Sequence, residues 1–225
     1  MRYNQVYVYL DKIRQIYGED LFLNPKTIKK LKVINHKTSA FNNLSKLKNN
    51  VADCLKCPLG EVRNRTVFGV GSPKANLMLI GEAPGEKEDE TGEPFIGRAG
   101  LLLDKILNSI KLKKESNVYI TNVIKCRPLN NRDPLPSEIE KCEPYLKKQI
   151  QFIKPKLIVA LGRVAGKTLL KLDTSLKEMR GKLYEYNEIP LYITYHPAAL
   201  LRNPDLKPYA WEDFKYIKKF LEYNN

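Results

Sequence analysis

The chain has 225 residues, of which 43% are hydrophobic and 28% charged. That suits one domain with a packed core and excludes a wholly disordered chain. Apolar runs such as Leu77–Ile80 and Leu157–Leu161 are far too short to cross a bilayer. The N-terminus mixes charge into its apolar residues and has no signal-peptide core, so a cytoplasmic protein without a membrane partner is expected. Lys and Arg number 39 against 25 Asp and Glu, a net charge of +14. Such an excess favours a polyanionic partner, nucleic acid before a membrane surface.

In chain order, residues 4–17 carry Val6, Leu10, Ile13 and Tyr17 at helical spacing. A polar, basic stretch without a clear period follows Asn24-Pro25. Residues 1–50 hold ten Lys and Arg but only three Asp and Glu, half of the whole net charge. They read as a basic extension, and residues 51–225 as the main domain. From residue 75 the pattern changes. ANLMLIG (75–81), NVYITNV (117–123), KLIVALG (156–162) and PLYITYH (190–196) are strand-like runs. Helical stretches separate them: Gly100–Ile110, Ser137–Ile153, Arg163–Leu170 and a last one near Trp211–Tyr223.

Strands alternating with helices predict an α/β protein. The expected fold is a three-layer α/β/α sandwich around a central, mostly parallel four-stranded sheet. RGKLYEYNEIPLYI reads as a hairpin feeding the fourth strand. Ligands of such sheets bind outside the carboxyl ends of the strands. The segments there are Glu82–Asp89, Asn122–Pro128, Gly162–Arg163 and His196–Asn203.

Only four cysteines occur, Cys54, Cys57, Cys126 and Cys142. Cys54-x-x-Cys57 is a two-ligand bite, and Pro58 after it argues against the helix that opens behind a redox CxxC. Four thiols with this spacing favour one tetrathiolate site over free thiols, and leave zinc and an iron–sulfur cluster both open. Since it would join residue 54 to 142, such a site is expected to be structural.

GRVAGKT (162–168) follows a strand and opens a helix, but only three residues separate its glycines. It is too short to wrap a phosphate chain, and Gly166 reads instead as a helix–sheet contact. The acidic run Glu82, Glu86, Glu88, Asp89, Glu90 would suit a divalent-metal nuclease or a solvated helix start. His36 reads as a surface residue. His196 ends a strand at the expected ligand edge, ahead of Pro197, and is the stronger functional candidate.

GEAPGEKEDETGEPFIGRAG (81–100), TNVIKCRP (121–128), HPAALLRNP (196–204), CLKCPL (54–59) and Cys142 together closely resemble the family 4 uracil-DNA glycosylases. The resemblance spans about residues 50–223. It implies a DNA repair enzyme that flips uracil from DNA and hydrolyses its N-glycosidic bond. Cys54, Cys57, Cys126 and Cys142 would ligate a [4Fe–4S] cluster, with zinc the lesser alternative. Phe95 would stack on the extruded base, and Asn122 would read its edge, donating to O4 and accepting from N3–H. Ala83 and Gly85 would lie against the base, and Glu88 would exclude the thymine methyl.

The resemblance further implies that His196 stabilises the departing uracil anion at O2. A sister family places an Asp in its first motif where this chain has Ala83. A dissociative reaction is therefore expected, with Glu82 or a nearby carbonyl orienting the water. One of Leu200 and Leu201 is expected to be exposed as a wedge, with Arg202 on phosphate. Lys125 and Arg163, with Arg127, Arg132 and Lys167, would line the DNA groove. RAGLLLDKIL runs directly into helix, without the insertion that traps substrate covalently in a related branch. A monomer is expected, and residues 1–50 could meet a replication or repair protein. The competing expectation is a non-catalytic iron–sulfur DNA-binding module.

Overall fold

A computed structural model describes residues 40 and 42–224, and a compact unit begins at Ala40. The helix expected over 4–17, the linker up to residue 39 and His36 lie outside the described residues. The first described helix is α1 (residues 42–52). Its Leu44, Leu47 and Val51 recur at helical spacing and are buried in the core, while Lys and Asn residues occupy the other face. The compact unit thus starts ahead of the 50/51 boundary that composition suggested.

The loop carrying Cys54 and Cys57 leads into α2 (Leu59–Val62) and then β1 (Val70–Gly71) and β2 (Leu77–Gly81). Helices α3 (Glu86–Thr91) and α4 (Arg98–Ser109) precede β3 (Val118–Asn122). A 3-10 turn at Leu129–Asn131 leads to α5 (Pro136–Ile153), which continues through Pro144. Next come β4 (Leu157–Leu161), α6 (Arg163–Leu170) and the single turn α7 (Leu176–Met179). The hairpin β5 (Leu183–Tyr186) and β6 (Ile189–Thr194) is followed by α8 (Pro197–Arg202) and α9 (Lys207–Tyr223).

The sheet order is β1-β3-β2-β4-β6-β5, and the four inner strands β3, β2, β4 and β6 are parallel. These are the four strands expected from the sequence. The sheet is six-stranded because β1 and β5 add antiparallel edges. Val70–Gly71 is too short to show a period. All five residues of β2, β3 and β4 are buried, as strands covered on both faces require.

Alternation divides their side chains between two cores. Met78, Ile80, Ile158, Ala160 and Ile193 pack with α1, α5 and α6. Leu77, Leu79, Val118, Leu157 and Val159 pack with α4 and α9 through Leu103, Leu107, Phe214 and Ile217. Each such aliphatic side chain stabilises the fold by about 1.5–3 kcal/mol on burial. The result is helix–sheet–helix, with Gly81 paired to Asn122 and Leu161 to Thr194 at one edge. The loops after β2, β3, β4 and β6 therefore open together.

Below that edge, Asp213 of α9 is only 3% exposed and gathers four donated hydrogen bonds. Arg180 reaches its two oxygens at 2.8 and 2.9 Å, Tyr192 Oη at 3.0 Å and Thr194 Oγ1 at 2.6 Å. The Arg180 guanidinium also lies over the rings of Tyr195 and Tyr209. This cluster clamps the end of β6, two residues before His196. Removing one partner of a buried pair strands the other, at about 3–5 kcal/mol. Asp213→Ala is expected to lower unfolding stability by about that amount, read from urea denaturation.

Candidate active site

The strand-end loops surround a cavity of about 510 Å³. Of the sequence-derived candidates, Glu82, Ala83, Gly85, Glu88, Phe95, Asn122, Arg163, His196 and Arg202 all line it. Its inner wall depends on a missing side chain. A Cβ on Gly81 would stand 2.4 Å from Asn122 Oδ1 and 2.8 Å from Phe95 Cζ. The strand register sets Gly81 beside Asn122, so only glycine lets the amide and the phenyl ring converge there.

Phe95 has φ of 57°, the left-handed region that a bulky residue occupies at a strain of about 1–3 kcal/mol. Two features hold it. The amides of Ile96 and Gly97 each donate to Glu88 Oε1 at 3.0 Å. At Gly100, a Cβ would fall 1.6 Å from the Phe95 carbonyl oxygen, so α4 starts directly against that backbone. The Phe95 ring lies 5.4 Å from the His196 ring at an angle of 32°. Gly85 caps α3, and the Glu88 carboxylate fills the space a side chain there would need, at 2.7 Å.

Asn122 is 2% exposed, and among the described residues its buried Oδ1 has no hydrogen-bond partner. An unsatisfied buried acceptor costs about 1–3 kcal/mol. Here the residue lines the cavity. His196 caps α8, and its Nδ1 accepts from the Ala198 amide at 3.1 Å. That bond leaves the neutral ring its proton on Nε2. Burial pushes the His196 pKa down to about 4; Arg202 adds to this and Glu88 opposes it. The imidazole is uncharged at neutral pH.

Burial and the Asp133 carboxylate push the Glu82 pKa up to about 7, with Arg163 opposing. Arg163 pairs with Asp133 at 2.6 Å. Sequence reasoning missed Asp133. Its approach depends on the turn before it, where Asn130 and Asn131 are both left-handed, and nothing in local composition encodes that pairing.

Among the expected DNA contacts, Arg202 and Leu201 are exposed while Leu200 is 1% exposed and belongs to the core. One leucine is thus free to act as a wedge, and it is Leu201. Lys125 must be withdrawn. It is 1% exposed, and its Nζ donates to Thr121 Oγ1 and to the Asn122 carbonyl, both at 2.6 Å. The strand-end loop turns the side chain inward, where it cannot meet phosphate. Arg127, Arg132 and Lys167 are each paired, with Glu86, Glu138 and Asp173.

On the far side of Lys125, all four cysteines line one small cavity with Tyr145, Lys56 and Lys141. The α1–α2 loop brings Cys54 and Cys57, the turn after β3 brings Cys126, and α5 brings Cys142. Tyr145 Oη donates to Cys54 Sγ at 3.3 Å, and Arg63 Nη1 donates to Cys126 Sγ at 3.5 Å. Burial pushes the Cys126 thiol up to about 11, with Arg63 opposing. Four thiols ringed by cations and N–H or O–H donors suit a group bound as thiolates. Among the described residues, no three His, Cys, Asp or Glu gather closely enough for a single metal ion. Tetrahedral zinc would need sulfurs roughly 4 Å apart.

The raised Glu82 pKa has a defined effect on stability. Below about pH 4.5 the carboxyl is protonated in folded and unfolded chains alike, and above about pH 7 it is ionised in both. Between these values the folded chain holds the extra proton, so its stability falls as pH rises. Glu82→Gln is expected to stabilise the fold relative to wild type at pH 8 but not at pH 4.5, measured by thermal unfolding at each pH.

Among the described residues, no helix is long and apolar enough to cross a membrane. The chain matches the family model described as the uracil DNA glycosylase superfamily over residues 68–223. It is 47% identical over 186 residues to a type-4 uracil-DNA glycosylase of Sulfurisphaera tokodaii, covering 79% of this chain and 84% of that protein. It is 46% identical to a type-4 uracil-DNA glycosylase of Archaeoglobus fulgidus, covering 74% and 87%. Similarity to a type-5 uracil-DNA glycosylase of Pyrobaculum aerophilum is lower, 27% over 68% of this chain and 81% of that protein. With its inner strands, glycine-framed cavity and sequence all in agreement, the chain belongs to the uracil DNA glycosylase superfamily and, within it, to the type-4 uracil-DNA glycosylases.

Proposed function

We infer that this chain hydrolyses the N-glycosidic bond of uracil in DNA and leaves an abasic site. One observation carries the reading: Asn122, whose buried Oδ1 has no hydrogen-bond partner among the described residues, lines the same cavity as Phe95 and His196. Uracil offers a donor at N3 to that oxygen, whereas cytosine offers only a lone pair there. The Phe95 ring supplies a stacking face for a base turned out of the helix. Ala83 and Gly85 border the base. Glu88, fixed by the Ile96 and Gly97 amides, presents the bulk that meets a 5-methyl group.

Cleavage breaks the bond between sugar C1′ and base N1, and both electrons leave with uracil. The negative charge spreads to O2, where His196 Nε2–H donates. A neutral donor suits this task, since its hydrogen bond strengthens as charge develops. The Nδ1 bond to Ala198 fixes the required tautomer. Glu82 in its ionised form orients water beneath the oxocarbenium-like sugar and accepts a proton as oxygen joins C1′. Uracil takes up the balancing proton. Ala83 contributes no carboxylate, and Glu82 beside it lines the cavity. Leu201 fills the gap in the base stack, and Arg202 and Arg163 meet phosphate. Every residue invoked comes from one chain, so a monomer suffices.

Cys54, Cys57, Cys126 and Cys142 would hold a [4Fe–4S] cluster. The thiol-only donor set and the hydrogen bonds from Arg63 and Tyr145 suit such a cluster. When bound it supplies a crosslink between the α1–α2 loop, the β3 turn and α5 rather than a redox step at the base.

DNA carrying a single uracil is expected to become alkali-labile after incubation without Mg²⁺. DNA bound but never cleaved would favour a recognition module, and cleavage only with metal a nuclease. His196→Ala is expected to lower kcat by about 10²–10³ with DNA affinity unchanged. In wild type, kcat is expected to rise with pH through about 7 as Glu82 ionises, and Glu82→Gln to lose that rise.

A further inference from the structure

The side chain withdrawn from the DNA surface has no carboxylate to answer it. Lys125 is 1% exposed, and among the described residues none of its ion pairs involves Asp or Glu. It lines the cysteine cavity, and its ammonium spends two of three donors on Thr121 Oγ1 and the Asn122 carbonyl. Thr121 is itself anchored, donating to the Phe68 carbonyl at 2.9 Å. Gln149 donates to the same carbonyl at 2.8 Å.

We propose that Lys125 is a positioning residue that joins two sites: it is the buried one among the cations around the four-cysteine group, and through the Thr121 hydroxyl and the Asn122 carbonyl it holds the base-reading amide in register. The inference rests on the glycosylase and cluster readings above. Asn122 can discriminate only if its backbone keeps Oδ1 aimed at the cavity. An ammonium against that backbone is stable in the interior only while negative sulfur lies behind it. Thiolate ligation and uracil recognition are thereby linked across one side chain, without electron transfer and without a residue touching both uracil and the cysteine group.

The test uses the holoprotein as wild type, Lys125→Met and Thr121→Val. Three quantities are read: iron loss to a chelator followed by visible absorbance, inhibition by free uracil, and inhibition by abasic-site DNA. Lys125→Met is expected to lose iron about tenfold faster and to bind free uracil about tenfold more weakly, with abasic-site inhibition unchanged. Thr121→Val removes one acceptor and no charge, so it is expected to weaken free uracil while keeping iron at the wild-type rate. Wild-type behaviour of Lys125→Met overturns the proposal. So does faster iron loss with uracil affinity intact, or a parallel loss of uracil and abasic-site binding, which marks a merely structural role. Should Lys125→Met not fold, unchanged uracil affinity in Thr121→Val overturns it. A wild-type holoprotein that releases no uracil removes the glycosylase reading instead, and the iron-loss comparison still decides the cation's role.

Discussion

A carbonyl oxygen shut away from water with nothing to accept from is a standing penalty of about 1–3 kcal/mol, and Asn122 Oδ1 bears it. Such a defect persists only where the rest of the fold holds the group in place and something outside the protein relieves it. The strand register, the bare Gly81 beside the amide and the phenyl ring of Phe95 all frame that one atom. On the function proposed above, substrate binding would relieve the defect, so part of the binding energy would be stored in the free protein. The same logic gives selectivity, because a base that brings no proton to Oδ1 leaves the penalty in place.

The parts that do the chemistry are rigid because unrelated layers brace them. His196 stands two residues beyond Thr194, whose hydroxyl reports to Asp213 in α9. Phe95 is braced by a carboxylate from α3 and by the closely apposed start of α4. The loop bearing Cys54 is tied back by Arg63, which donates to the Cys54 and Ala52 carbonyls at 2.6 and 2.7 Å. Asp89 accepts from the Asn64 amide at 3.1 Å, linking that segment to the helix behind the acidic loop. Cysteine site and base cavity therefore share the wall formed by the turn after β3.

Most of the architecture was legible because its signals are local. Val, Ile and Leu runs ending in Gly, Asn or His marked the four inner strands, and helical spacing marked the crossovers. The edge strand at Val70–Gly71 was not legible, since two residues have no period and pairing with β3 is a tertiary event. Helix α3 was hidden in an acidic run with no apolar stripe; its ordering comes from Glu88 and Asp89 bonding to segments outside it. At the cavity, residue types in characteristic order were visible, but side-chain direction was not. Leu200 and Leu201 are chemically identical and differ only by a hundred degrees around α8. Lys125 carries a charge that composition assigns to the surface, and its inward turn onto Thr121 and the Asn122 carbonyl is a tertiary event. Asp133 was invisible for the same reason, its approach to Glu82 being set by a turn.

Several cations in and near the cavity loops are already paired in space. Arg163 pairs with Asp133, Arg127 with Glu86 and Lys167 with Asp173. An approaching phosphate must displace a tethered carboxylate from each, rather than a condensed ion that then diffuses away. The salt gradient of association will accordingly be shallower than the number of rim cations implies. The displaced acids stay beside the nucleic acid and repel it at sites where no lesion fills the cavity.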